Sequence, residues 1–302
     1  MDKQFNYAVV TPVRNEAKHI QLTIDSMAAQ TVRPAHWIIV NDGSSDETGA
    51  MAEAAARQHS WIRTLNRPDR GFRKAGGGVI DAFYEGYRLI EKEPWDYVVK
   101  LDGDLSFAAD YFEKCIAHFI EQGRLGIAGG TICNETDGVV EVESKVDPEF
   151  HVRGAVKIYR RACWQEIGGL LRSPGWDTMD EVKANMLGWS TRTLRGLNVI
   201  HHRPTGAAYG AWRDRVKNGL GCYITGYHPL FMFVKCLRRM AERPYLIGGC
   251  GLLFGFAKGY VKRLPQIEDK ALIKYFRQQQ MNRLLMRRSL WDREPRANAP
   301  AK

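Results

Sequence analysis

Between residues 7 and 122, short apolar runs alternate with longer stretches whose apolar residues recur at helical spacing. This alternation constrains the fold more than any other feature of the chain. Residues 7–13, 37–40, 61–65 and 97–101 are rich in β-formers and are bounded by polar residues or glycine. Helical stretches separate them. Ile20, Ile24 and Met27 mark the first, which ends near Gln30; the others cover residues 47–58, 75–92 and 110–122. The order β-α-β-α-β-α-β with short loops predicts a mostly parallel, doubly wound α/β sheet. In such a sheet the loops that follow the strands gather on one edge, where ligands bind. Here those loops are polar or glycine-rich and outline a single cleft.

The fourth run ends in Asp102-Gly103-Asp104. Two acids at i and i+2 of a strand end share a side. The glycine between them lets the backbone turn and a ligand come close. Paired carboxylates suit Mg2+ or Mn2+, which keeps open positions for phosphate oxygens. An Asp-Gly turn accounts for the same residues without any ligand.

The 302 residues make room for one large domain, or for one domain and a smaller one, and 44% hydrophobic residues fill a full core. Six scattered cysteines form no C-x-x-C pair, which argues against a zinc site or a disulfide framework and for a reducing compartment. The first residues lack a charged-then-apolar export pattern. The net charge of +10 sits at one end: residues 230–302 hold 16 Lys and Arg against 5 Asp and Glu. Such asymmetry points to an anionic surface, either nucleic acid or membrane.

Further along, residues 125–129 and 139–158 read as strands, 160–167 and 176–187 as helices, and 190–202 as a strand or hairpin. The tail holds three apolar-basic stretches. Residues 229–240 form an amphipathic helix, 245–257 an uncharged segment short of the ~20 residues that span a bilayer, and 271–291 a long basic helix.

Four pieces, in order, carry a resemblance. They are Val10-Thr11-Pro12-Val13-Arg14-Asn15-Glu16, Val40-Asn41-Asp42-Gly43-Ser44-Ser45-Asp46-Glu47-Thr48, Asp102-Gly103-Asp104, and Ile167-Gly168-Gly169-Leu170 with the acidic helix 177–188. Together they resemble glycosyltransferase family 2, which has the GT-A fold, over about residues 5–205. The tail resembles its membrane-associated bacterial members. The resemblance implies an inverting, metal-dependent transfer of a sugar from a UDP, GDP or dTDP donor to a glycan or polyprenyl-linked acceptor. It places a catalytic domain at 1–225, with a nucleotide-sugar half to about 125 and an acceptor half beyond it, and a basic amphipathic helical region at 226–302. It puts Thr11, Pro12, Arg14 and Glu16 at the base and ribose, Asp42 on the base, and Arg73 and Lys74 at the base or phosphates. Asp104 holds Mn2+ or Mg2+, Asp102 lies near the ribose or the metal, and His202 completes the metal shell. The family's base opens the acidic helix, and two residues compete for it. Asp177 has the right distance to Gly188; Asp180 has the right distance from Gly169. Both also suit a helix start. The tail then implies a peripheral protein on the cytoplasmic face of the cell membrane, without a nucleic-acid partner and with an oligomer as an open option.

Two other classes remain. A nucleotidyltransferase shares an α/β cleft with carboxylates but carries a basic glycine-rich loop after strand one, where this chain has Pro12-Val13-Arg14-Asn15-Glu16. A nucleic-acid-binding protein explains the basic tail but leaves Asp102-Gly103-Asp104 without a use.

Overall fold

The computed structural model describes residues 5–69, 71, 77–144, 147–203, 210–241 and 245–292. The N-terminal part alternates as its periodicity predicts: β1 (Tyr7–Val13), α1 (Ile20–Ala28), β2 (His36–Asp42), α2 (Thr48–Gln58), β3 (Ile62–Arg67), α3 (Gly78–Tyr87) and β4 (Tyr97–Leu101). α3 stops at Tyr87, five residues short of the expected end near Lys92. There follow β5 (Leu105–Phe107), α4 (Tyr111–Glu121), β6 (Leu125–Thr136), β7 (Val139–Val142), β8 (Val156–Arg160), α5 (Arg161–Ile167), α6 (Trp176–Met186) and β9 (Ser190–His201).

These strands form one sheet in the order β3-β2-β1-β4-β8-β6-β9-β5, with β7 paired to β6. β1 to β4 are mutually parallel. β8 enters antiparallel to both β4 and β6, and β9 runs parallel to β6. The fold is thus α/β with a parallel half and a mixed half. One face packs Val9, Trp37, Ile39, Val99 and Phe112; the other packs Val10, Ile38, Phe83, Tyr159 and Trp164. Alternate residues of β1 and β2 therefore serve opposite cores, as strand geometry requires. Pro12 is tolerated in a central strand because the β4 pairing of β1 stops at Val10.

Four helices follow: α7 (Ala211–Ile224), α8 (Pro229–Met240), α9 (Ile247–Val261) and α10 (Lys270–Leu284), with a 3-10 turn at Leu290–Asp292. The expected basic helix 271–291 is broken. α10 ends at Leu284, and Met286 adopts a left-handed φ of 53°. α7 has no counterpart among the expected elements. It packs closely on α9, where a Cβ at Gly255 would run into the Val216 carbonyl oxygen and one at Gly219 into the Leu252 carbonyl oxygen. Tyr223 of α7 shares a small core with Met232, Cys236, Leu252 and Phe256, so α7 packs with the tail helices. α10 closes on α6 through Leu272, Phe276, Met179 and Val182.

Candidate active site

The carboxyl ends of β1, β2, β3 and β4 meet on one edge. There the loops after β1 and β2 are buttoned together. Asn15, at a left-handed φ of 55°, accepts from the Ser45 amide at 2.9 Å. Asp46 accepts from the Ala17 amide at 3.1 Å and from the Thr48 hydroxyl at 2.5 Å. Arg14 donates to the Asp42 carbonyl at 2.6 Å and reaches Asp69 at 2.6 Å. The Asp42 carboxylate is held by Arg67 at 2.5 Å. The Thr11 hydroxyl faces inward and accepts from the Trp37 indole at 2.8 Å. Pro12 is buried beside it. Arg73 and Lys74 lie outside the described residues.

Asp102 and Asp104 lie just past β4. A Cβ at Gly103 would stand 2.5 Å from a Val13 methyl, so the turn fits only glycine. Lys100, 2% exposed, donates to Asp102 at 2.5 Å and to the Gly154 carbonyl at 2.6 Å. Burial and the charge of Asp104 push the Asp102 carboxyl up, against Lys100. Burial works on Asp104 in the same direction but is outweighed by His201 and Arg203, which hold it below the usual range. Arg203 lies 3.1 Å from Asp104 Oδ2 and also pairs with Glu16. Burial, with repulsion from Asp104, raises the Glu16 carboxyl to about 7.

His201 Nε2 stands 3.5 Å from Asp104, and its other nitrogen 3.5 Å from Glu143. Burial would lower its pKa, but the two carboxylates prevail and bring it to about 9. The neighbouring His202, expected in the metal shell, is directed elsewhere: its Nε2 bonds Ser106 at 2.8 Å and its ring stacks on His19. Successive side chains alternate at a strand end, so only one of the two histidines faces Asp104. Glu143, just after β7, and its partner Arg153 at 3.1 Å join the site without having been singled out in the sequence. Their only signal there is the alternation of residues 139–158.

The metal question turns on one atom. Asp104 Oδ1 is buried with no hydrogen-bond partner among the described residues, which fits a cation-facing oxygen. Among the described residues no cluster of three or more His, Cys, Asp or Glu side chains is arranged to hold a metal. The pair Asp102 and Asp104 therefore fits a cation whose other positions are filled by a ligand and water.

The two acids at the start of α6 differ sharply. Asp180 is 3% exposed and takes 3.0 Å contacts from Lys157 to both oxygens, 2.6 Å from the Tyr159 hydroxyl and 2.7 Å from the Glu181 amide. Burial raises it to about 6 even so. Asp177 is partly exposed, and its Oδ2 lies against Gly154, whose carbonyl holds Lys100. Lys157 also donates to the Asp177 backbone carbonyl. The Lys100 and Lys157 ammonium groups, cross-strand neighbours on β4 and β8, both approach the Trp176 ring, at 5.4 Å and 5.6 Å from its centroid. Hydrogen bonds therefore run from Asp102 through Lys100 to Gly154, and Asp177 is a near neighbour of Gly154, where an added Cβ would stand 3.3 Å from its Oδ2.

Glu181 is fully buried and pairs with His151 at 2.9 Å. Burial would lower the His151 pKa, but Glu181 outweighs it and raises it. Stability from this pair is fully present below the unfolded value near 6.5 and is lost as pH rises through the higher folded value. A His151→Gln variant should flatten that part of the stability profile; melting curves at several pH values check it.

Comparison with known proteins gives three kinds of likeness. The family model described as Glycosyl transferase family 2 matches residues 8–163, just over half of the chain. Chondroitin synthase of Pasteurella multocida is 28% identical over 144 residues, 47% of this chain but 14% of that protein. An uncharacterised glycosyltransferase of Mycoplasma pneumoniae is 30% identical over 121 residues, 39% of this chain and 38% of its own length. The chain thus spans well under half of these relatives. Among solved structures, a mannosyltransferase from Pyrobaculum calidifontis in complex with GDP-Man and Mn2+ superposes with a TM-score of 0.54 at 17% identity, covering 97% of this chain and 89% of that one. At that identity the likeness is one of fold.

Proposed function

The chain belongs to glycosyltransferase family 2, and on that premise we propose that it moves a sugar from a nucleotide-sugar to an acceptor hydroxyl with inversion at the anomeric carbon. The observation that supports the reading is the hydrogen-bonded run from Asp102 through Lys100 to Gly154, whose near neighbour is the partly exposed Asp177. Thr11, Pro12, Arg14, Glu16 and Asp42 shape the nucleoside end of the cleft. Asp104, with Asp102, holds Mn2+ or Mg2+. The ion, when bound, supplies Lewis-acid stabilisation for the diphosphate that leaves. Arg203, poised between Glu16 and Asp104, meets the same developing charge from the protein side. Asp177 takes the proton from the acceptor hydroxyl as that oxygen attacks. Asp180 is too deeply enclosed to reach a substrate and serves as a support of α6. His201 takes the place beside the ion that sequence reasoning gave to His202.

The acceptor in this reading is a hydroxyl of a glycan or of a polyprenyl-linked sugar, met at the inner face of the cell membrane during synthesis of a surface polysaccharide. The likeness to a Pasteurella chondroitin synthase supports the polysaccharide part. The GDP-Man and Mn2+ in the Pyrobaculum structure support the donor class.

A thermal-shift screen of UDP, GDP, dTDP and CDP, each with and without Mn2+, tests the cleft. A ligand that binds only the native state at a hundredfold its Kd adds about 2.7 kcal/mol of stability. One nucleotide should raise the melting temperature in a metal-dependent way. Asp104→Ala should keep the fold and lose that metal-dependent part. A variant that keeps it would remove Asp104 from the metal site.

A further inference from the structure

The tail carries an apolar surface that neither the cleft nor the sheet uses. α8 is two-sided. Met232 and Cys236 face its small core, whereas Leu230, Phe233, Val234 and Leu237 recur at i, i+3, i+4 and i+7 and are each 40% to 50% exposed. α9 repeats the arrangement. Its Gly251, Gly255 and Gly259 press on α7, and Ile247 and Phe254 stand outward at 44% and 55% exposure. Outward stripes of this kind on two adjacent helices mark an interaction surface.

The charge around the stripes selects the partner. Between residues 215 and 267 Glu242 is the only acid, against nine Lys and Arg. Arg238 follows Leu237 directly, and Lys258 stands one turn beyond Phe254; both are exposed. No helix among the described residues is long and apolar enough to cross a membrane. A second copy of the chain would bring like charges together on this face. A nucleic acid needs a run of stacking aromatics between cations, whereas the α8 stripe is mainly aliphatic, with Leu230, Val234 and Leu237 around one Phe233.

We infer that the outer faces of α8 and α9 form a docking surface for an anionic lipid bilayer. The apolar stripes sit at the boundary of headgroups and acyl chains, and Arg238 and Lys258 meet anionic headgroups. The inference rests on the membrane address proposed above. It is measured without any sugar transfer, so its failure leaves the transferase reading standing.

The test is flotation of the full chain with vesicles of phosphatidylcholine alone and of phosphatidylcholine mixed with phosphatidylglycerol, at low and high salt. The chain should float with the anionic vesicles and be released in part by salt. The double variant Phe233→Ser and Leu237→Ser should lower the partition about tenfold, with donor-dependent thermal shifts unchanged. Arg238→Gln with Lys258→Gln should weaken the preference for anionic lipid and the salt effect, while residual binding stays sensitive to Phe233. Flotation that ignores both variants overturns the inference. So does the absence of flotation from a protein that still shows its nucleotide shift. A dimer in solution that dissociates with Phe233→Ser, or salt-sensitive binding to single-stranded RNA without flotation, overturns it in favour of a second copy or of nucleic acid.

Discussion

Asp177→Asn should lower turnover by about a thousandfold, the middle of the range for losing a general base, while metal-dependent donor binding stays as it was. The amide keeps the size and the helix-start position of the acid but cannot take a proton. Asp177 is partly exposed, and its carboxylate lies against Gly154 on the edge that holds Asp102. Steady-state kinetics with a saturating donor reads the loss as a fall in kcat. Asp180→Asn is the contrast. It should act through stability, because Asp180 is enclosed by Lys157, Tyr159 and the Glu181 amide. If Asp180→Asn instead stops turnover in a stably folded protein and Asp177→Asn does not, the roles are reversed.

Lys157→Met should cost about 3–5 kcal/mol of stability, the usual cost of leaving buried charge without its partner. Lys157 is completely buried and serves Asp180 at 3.0 Å, Glu181 at 2.6 Å and the Asp177 carbonyl. Methionine matches the stem but leaves two carboxylates in a dry interior. For a chain of this size the loss corresponds to a melting point lower by roughly 10 °C. Adding Asp180→Asn should restore part of it, since the amide removes one of the stranded charges. A single variant that melts with the wild type would show that water or a rearranged side chain already neutralises the pair. Because Lys157 also fixes the Asp177 backbone, kcat should fall in the folded fraction.

Much of the parallel half was legible in the sequence because its signals are local. β1, β4 and α8 lie where periodicity and flanking residues put them. α7 was not legible. Glycines at 219 and 221 weaken the helical signal, and for Gly219 only the close approach of Leu252 in α9 shows why a helix keeps it. The end of α10 at Leu284 carries no glycine or proline to announce it. In the site, the carboxylates after β4 were legible as a pair, but that His201 faces Asp104 while His202 bonds Ser106 was not. The register of β6 against β9 shifts between Gly130 and Thr131, so parity cannot be counted along β9 from the sequence. Lys157 fits a half-exposed strand pattern equally well, and only the acids of α6 reveal why it is buried.

Trp176 joins things that are far apart in the chain. One ring is shared by Lys100, which holds Asp102 and the Gly154 carbonyl, and Lys157, which holds Asp180, Glu181 and the Asp177 carbonyl. It forms a common apolar wall for two ammonium groups that serve different acids. In a site that works by positioning, a misplacement of about an ångström already costs about a hundredfold in rate. A change in that one indole would therefore disturb the surroundings of Asp102 and of Asp180 at once, and no adjustment at either lysine alone would restore the other.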